Sequence, residues 1–207
     1  MLNVADLIAA ARRRVLDTHQ PYRYEDAFYI DGLNQAISTM VEFPLDSFGR
    51  ELFITLQEGT NQRLHFPAVR FLRVLGGISR TTREMLDVTH PGWEDEAPDP
   101  TRSKPIHWGQ NDESKDRFFV YPAVPSCCTI RVLAAVHPGI VAAPTGMIDV
   151  SPEYHMAIVN YIAAFVLSSD DEDPHTTAKA QQFMTQFFAL VGGNLRAPTT
   201  EANNAGQ

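Results

Sequence analysis

Apolar residues recur at helical spacing near the start of the chain. They predict a first helix from Val4 to Asp17, with Asn3 as its N-cap. After a linker that contains Pro21, a second amphipathic helix is predicted from Glu25 to Glu42, before the helix-breaking Pro44. Because the join is short, we expect the two helices to pack as an antiparallel pair.

In the middle of the chain the period of the pattern changes from helical to alternating. A small, largely antiparallel sheet is predicted, with strands over 51–57, 70–75, 106–109, 118–122 and 129–136. Residues 58–61 are predicted as a turn, 82–88 as a short helix, and the acidic, proline-rich 94–103 as an exposed loop. The recurrent prolines favour edges and corners over a central parallel strand.

Two further helices are predicted near the end of the chain. The first begins at Ser151-Pro152-Glu153, and its apolar stripe is wide enough to be buried on more than one side. The run Asp170–Pro174 caps the next helix, which Gly192-Gly193 is expected to close. The polar tail 194–207 contributes nothing to a core, and we expect it to be mobile in the free protein.

The order of elements predicts an α+β fold. The helix pairs at the two ends form one antiparallel helical bundle, and a small, mostly antiparallel β subdomain is inserted between them. The predicted boundaries are 1–45 for the first half of the helical body, 46–150 for the β-rich insertion, 151–193 for the second half and 194–207 for the flexible tail.

Composition restricts the function more than it identifies it. The 207 residues are 44% hydrophobic and carry a formal net charge of −8, so a basic surface for gripping nucleic acid is not expected as the main function. Cys127 and Cys128 are adjacent and are expected to be free thiols in a reducing compartment. We find no signal-peptide pattern and no run long enough to cross a bilayer, and we expect a protein made in a cytoplasm.

No constellation of side chains predicts catalysis, a metal or a cofactor. The acids 170–173 lack the alternating spacing of a calcium loop and are interpreted as a helix cap, and Cys127 or Cys128 has no signature of a nucleophile. Arg12, Arg13 and Arg14 are interpreted as a solvated helix face rather than a phosphate patch. The scattered histidines are predicted to be structural or solvent-facing: His65, His90, His107, His137, His155 and His175. The aromatic residues are predicted to form the core of the sheet rather than to stack on bases or sugars: Trp93, Trp108, Phe118, Phe119 and Tyr121.

Several segments, read in order from Val4 to Gly193, resemble the head-to-tail adaptor (connector) proteins of tailed bacteriophages. They are the helix around Asp26 to Met40, Leu56-Gln57-Glu58-Gly59-Thr60-Asn61-Gln62-Arg63-Leu64, Pro91-Gly92-Trp93, Phe119-Val120-Tyr121-Pro122-Ala123-Val124-Pro125 and the closing helices from Tyr154 to Gly193. The chain departs from the family pattern at His65-Phe66-Pro67 and at Phe165–Ser169.

The resemblance implies a structural virion protein without enzymatic activity. It implies a homo-oligomeric ring, commonly of twelve copies, that docks beneath the portal protein, extends the DNA channel and links the head to a downstream neck or tail protein. DNA would pass through without specific binding, and the protein would reside in the virion neck after synthesis in the bacterial cytoplasm. The tail residues expected to dock on the portal are Asn194, Leu195, Arg196 and Pro198.

Two alternatives remain open from the sequence. Another neck or tail component, such as a stopper or a tail terminator, is usually β-dominated, so a measured helix content well below roughly a third would favour it. A small hydrolase would use scattered acids and histidines such as Asp170, Asp171 and His175.

Overall fold

The computed structural model of the protein describes residues 1–43, 45–101, 104–111, 114–126, 128–169 and 174–193. Over these residues the chain forms five α-helices and nine β-strands, which makes it an α+β protein. In chain order the elements are β1 (Leu2–Asn3), α1 (Val4–Val15), α2 (Asp26–Val41), β2 (Gly49–Thr55), β3 (Gly59–Arg63), β4 (Ala68–Leu75), β5 (Ser79–Arg80), α3 (Arg83–Thr89), β6 (His107–Gln110), β7 (Arg117–Val124), β8 (Thr129–Val136), β9 (Met147–Ile148), α4 (His155–Ser168) and α5 (Pro174–Gly193).

The chain divides into two compact units. The helical unit contains Met1–Ser47 together with the chain from Pro138 onward, and the β unit contains Phe48–His137. The helical unit therefore includes the connection from β8 to α4, and its α1 begins as the sequence predicts, because the Asn3 side chain accepts hydrogen bonds from the backbone N–H groups of Ala5 and Asp6.

Helix α4 is the centre of the helical unit. It contacts α1, α2 and α5, and its buried residues lie around most of its circumference. Such an all-round apolar surface is typical of a helix enclosed by its neighbours, as the wide apolar stripe in the sequence predicts. On the α2 side the backbones come close at Gly32, where an added Cβ would lie 2.9 Å from the Phe165 ring.

The β unit contains two sheets with a shared apolar core. The three-stranded sheet has the order β2-β8-β4 and the four-stranded sheet the order β3-β7-β6-β5, with all pairs antiparallel except β5 with β6. Alternate residues of both sheets enter one core cluster, among them Phe71 from β4, Phe118 from β7 and Val132 from β8. Phe71 and Phe118 stack with a centroid distance of 4.3 Å.

The structure corrects the prediction of a turn at 58–61. Gly59–Arg63 is strand β3, and its inward positions are the polar Thr60 and Gln62, which are 3% and 4% exposed. The Gln62 amide accepts a hydrogen bond from the Gln57 N–H at 2.7 Å and donates to the Gln57 and Gly59 carbonyls. The Thr60 hydroxyl donates to the Glu94 carbonyl at 3.2 Å. Because both buried side chains have hydrogen-bond partners, the strand does not need an apolar pattern.

One further prediction needs correction. Pro122 lies inside β7, a central strand, although prolines were expected at edges and corners. It lies at the irregularity where the β3 pairing passes from Phe119 to Val124, so its missing N–H interrupts no regular ladder. The described part of helix α5 extends to Gly193, the second of the two glycines that were expected to close it. The predicted acidic cap at 170–173 and the tail 194–207 lie outside the described residues.

Candidate functional site

The histidines considered as chemical groups are dispersed over the fold. His65 lies between β3 and β4, His137 follows β8, His155 begins α4 and His175 lies in the first turn of α5. Burial lowers the pKa of His137, which keeps this imidazole neutral. In the part of the chain that the structure describes, no group of three His, Cys, Asp or Glu side chains could hold a metal ion. Asp170 and Asp171, the acids of the hydrolase alternative, fall outside that part.

His90 and His107 are brought together through one aromatic ring. The His90 imidazole stacks on Tyr121 with a centroid distance of 4.5 Å, and the His107 ring lies 6.4 Å from the Tyr121 centroid on a nearly parallel plane. The contacts that join these three rings are stacking contacts, with the planes of His90 and His107 at 30° and 15° to the plane of Tyr121. The stack is better explained as packing at the surface of β6 and β7.

Cys128 is 3% exposed within the core of the β unit. A thiol enclosed by apolar side chains is disfavoured as a thiolate and cannot reach a substrate. Cys127 lies outside the described residues.

The aromatic residues form packed clusters, which confirms their prediction as core. Trp108 and Phe118 belong to the core between the two sheets, whereas Trp93 and Phe119 form a second cluster with Tyr121 packed against it. Both indoles are satisfied, because Trp93 Nε1 donates to Asp87 at 2.9 Å and Trp108 Nε1 donates to the Ile78 carbonyl at 3.1 Å.

Arg12 corrects the interpretation of the arginine run as a solvated face. Its side chain is 7% exposed and forms an ion pair with Asp17, a 2.8 Å ion pair with Asp26 and a 3.0 Å hydrogen bond to the Tyr24 carbonyl. The guanidinium also lies 3.9 Å from the Tyr22 ring centroid. We name this set of residues, with Tyr29, the Arg12 network.

The turn after α1 builds this network. Leu16 adopts a left-handed backbone conformation with φ of 64°, which directs Asp17 back so that its N–H donates to the Arg12 carbonyl at 3.0 Å. Asp17 then accepts hydrogen bonds from the Arg23 N–H at 2.7 Å and the Tyr29 hydroxyl at 3.0 Å. The α1–α2 connection is thereby fixed at both of its ends.

The protonation states in the network follow from these contacts. Burial alone would raise the pKa of Asp17, but the hydrogen bonds from Arg23, Tyr29 and Tyr24 and the positive charge of Arg12 outweigh it and lower the pKa. Burial, and then the bond to the Asp17 carboxylate, raise the pKa of Tyr29. At neutral pH the network therefore contains a charged Asp17 and a neutral tyrosine, which is a structural rather than a catalytic arrangement.

An uncharged loop over residues 138–147 is a candidate interaction surface on the helical unit. The Asn34 amide on α2 accepts a hydrogen bond from the Val141 N–H and donates to the Val141 carbonyl, each at 2.9 Å. These two hydrogen bonds hold the loop against α2. On the same loop, Ile140 is 81% exposed and Met147 is 57% exposed. Ordered, exposed apolar side chains of this kind are typical of protein contact surfaces.

The β unit carries two more candidate surfaces. The outward side of the three-stranded sheet, which we call the open sheet face, carries Phe53 at 77% exposure together with Arg73 and Arg131. The second surface, which we call the acidic side, consists of α3 and the 3-10 turn Trp93–Asp95 with Glu96, and it exposes Val88 at 80%. The sequence did not identify either surface, because the apolar residues on them continue the alternation of an ordinary strand or helix.

Among the described residues, no helix combines the length and the apolar character that a membrane span requires. A protein-family model described as SU10 adaptor protein matches residues 2–206. The match confirms the resemblance to phage head-to-tail adaptors over nearly the whole chain. No curated protein matches the chain.

Proposed function

Since the chain belongs to the SU10 adaptor protein family, we propose that it is a head-to-tail adaptor subunit that forms a ring beneath the portal of a tailed bacteriophage. In this proposal the ring contains twelve copies, extends the DNA channel and links the head to a downstream neck or tail protein. The observation that carries this proposal is the match to the family over residues 2–206. The role is structural and involves no catalysis.

The helical unit suits the wall of such a ring. In this proposal its helices form an antiparallel bundle with α4 enclosed, so that α1, α2 and α5 keep outer faces for neighbouring copies. The Arg12 network stiffens the α1–α2 connection, and the 138–147 loop offers an ordered apolar contact. Rigid surfaces lose little conformational entropy when subunits assemble.

The tail is proposed as the contact with the portal. Asn194, Leu195, Arg196 and Pro198 would dock there, and the segment would give up chain entropy for a wrap-around contact. The formal net charge of −8 fits a channel that DNA traverses without specific binding, because a negative lumen repels phosphates.

Co-purification with the portal protein encoded by the same phage tests the proposal. The full chain should elute from size exclusion with the portal ring, and a variant that ends at Gly193 should elute as the free protein. Circular dichroism and thermal melting of the truncated chain provide the control, because the truncation retains every residue that the structure describes. A full chain that never associates with the portal would rule out the adaptor role.

A further inference from the structure

The open sheet face and the acidic side lie on opposite sides of the β unit. In β8, Ile130 and Val132 point into the core between the sheets, so Arg131 between them points outward. In β7, Phe118 and Val120 enter the same core, whereas Phe119 points the other way, into the cluster with Leu86 of α3 and Trp93. The core therefore separates the two surfaces.

The open sheet face is apolar at its centre and mainly cationic around it. On β8, Arg131 pairs in register with Phe53 on β2 and with Leu75 on β4. Leu133, two residues after Arg131 and on the same face, pairs with Arg73 on β4. A groove of about 160 Å³ lies beside Phe53 and Arg131 and is also lined by Lys104. Glu51, which is 3.5 Å from Arg131, places an acid on this face as well.

The acidic side has the complementary chemistry. Val88 and Met85 are 80% and 59% exposed on α3. The same helix carries Glu84 and Asp87, and the following turn carries Glu94, Asp95 and Glu96. The turn that carries the last three acids is held in place, because the Trp93 indole beneath it is 2% exposed and its Nε1 donates to Asp87. Arg83, paired with Glu94 at 2.6 Å, neutralises part of this charge.

We propose that the acidic side of one copy docks on the open sheet face of the next copy. This inference rests on the proposed ring. A ring needs two different, mutually complementary surfaces on each subunit, arranged head to tail. These two surfaces are complementary in charge, each exposes a large apolar residue, and they lie on opposite sides of one rigid core, so Val88 and Met85 of one copy would meet Phe53 of its neighbour.

A charge-swap experiment tests the contact in full-length protein assembled on the portal. R73E/R131E changes the open sheet face and D95K/E96K changes the acidic side, and each variant should lower subunit incorporation at least about tenfold, because like charges then face each other. The combined four-fold variant should recover assembly, since the opposite charges face each other again. R73K/R131K keeps the charge and should assemble as the wild type does.

The outcomes separate this inference from the proposed function. If wild-type rings form on the portal and both charge variants form them equally well, or if the four-fold variant fails while R73K/R131K assembles, the contact is wrong and the adaptor role stands. Normal rings with weakened binding of R73E/R131E to duplex DNA or to the downstream neck protein would assign the open sheet face to that partner and overturn the inference. If the wild type forms no ring at all, the inference fails together with the proposed function.

Discussion

Replacing Asp17 with asparagine should destabilise the protein strongly, because the change removes a buried charge but keeps the size of the side chain. The Asp17 side chain is 4% exposed and accepts the 2.7 Å and 3.0 Å hydrogen bonds from Arg23 and Tyr29 in addition to its ion pair with Arg12. An asparagine has one acceptor oxygen instead of two, so its NH₂ group would face one of these donors.

The magnitude follows from what the variant leaves behind. Breaking a buried ion pair by removing one charge costs about 3–5 kcal/mol when the other charge has no second partner. Arg12 keeps Asp26 at 2.8 Å and the Tyr24 carbonyl at 3.0 Å, so we expect a smaller loss, about 2–3 kcal/mol. Urea unfolding followed by circular dichroism measures this loss of unfolding free energy. The matched control is D31N, at an exposed position on α2, for which we expect a change below about 0.5 kcal/mol.

The loss should also depend on pH. Because the pKa of Asp17 is lowered in the folded state, the stabilisation of the fold by this carboxylate is present above the unfolded pKa of about 3.9 and disappears as the pH falls through the folded pKa. The difference in unfolding free energy between wild type and D17N should therefore be largest near neutral pH and shrink below about pH 4. A D17N protein within about 0.5 kcal/mol of wild type at pH 7 would refute the stabilising role of the Arg12 network.

Two further predictions concern packing and the apolar loop. G109A should cost about 2–3 kcal/mol or prevent folding in urea titrations, because an added Cβ would lie 2.1 Å from the Phe119 ring. G192A, whose Cβ meets open space near the end of α5, should leave stability unchanged or raise it by less than about 1 kcal/mol. Equal stability of the two variants would contradict the close approach. N34A should speed amide hydrogen exchange around Val141, because both hydrogen bonds to that residue are lost. The free energy of global unfolding should change little. Unchanged exchange around Val141 would show that other contacts hold the loop.

The elements that the sequence predicts well are those whose burial follows an apolar period. The strand 129–136 has the bounds predicted for it, and the wide stripe of α4 indicates its enclosed position. The prediction fails at β3, where Thr60 and Gln62 are the buried residues, because hydropathy does not identify a polar side chain that satisfies its hydrogen bonds internally.

The candidate surfaces depend on distances that a linear pattern does not contain. Arg12 lies in a run of three arginines, and only the left-handed turn at Leu16 brings Asp17 beside it. Similarly, Phe53 and Arg131 become neighbours through the pairing of β2 with β8. The sequence carries the family resemblance, but tertiary pairing determines which charged residues are buried and which form a surface.

Cryo-electron microscopy of the chain bound to its phage portal tests the central claim most directly. We predict a closed ring of copies beneath the portal, with the helical units forming the wall of a channel that continues the portal channel. A portal that remains bare in the presence of excess chain, or a chain bound as isolated monomers without a ring, would contradict the adaptor function.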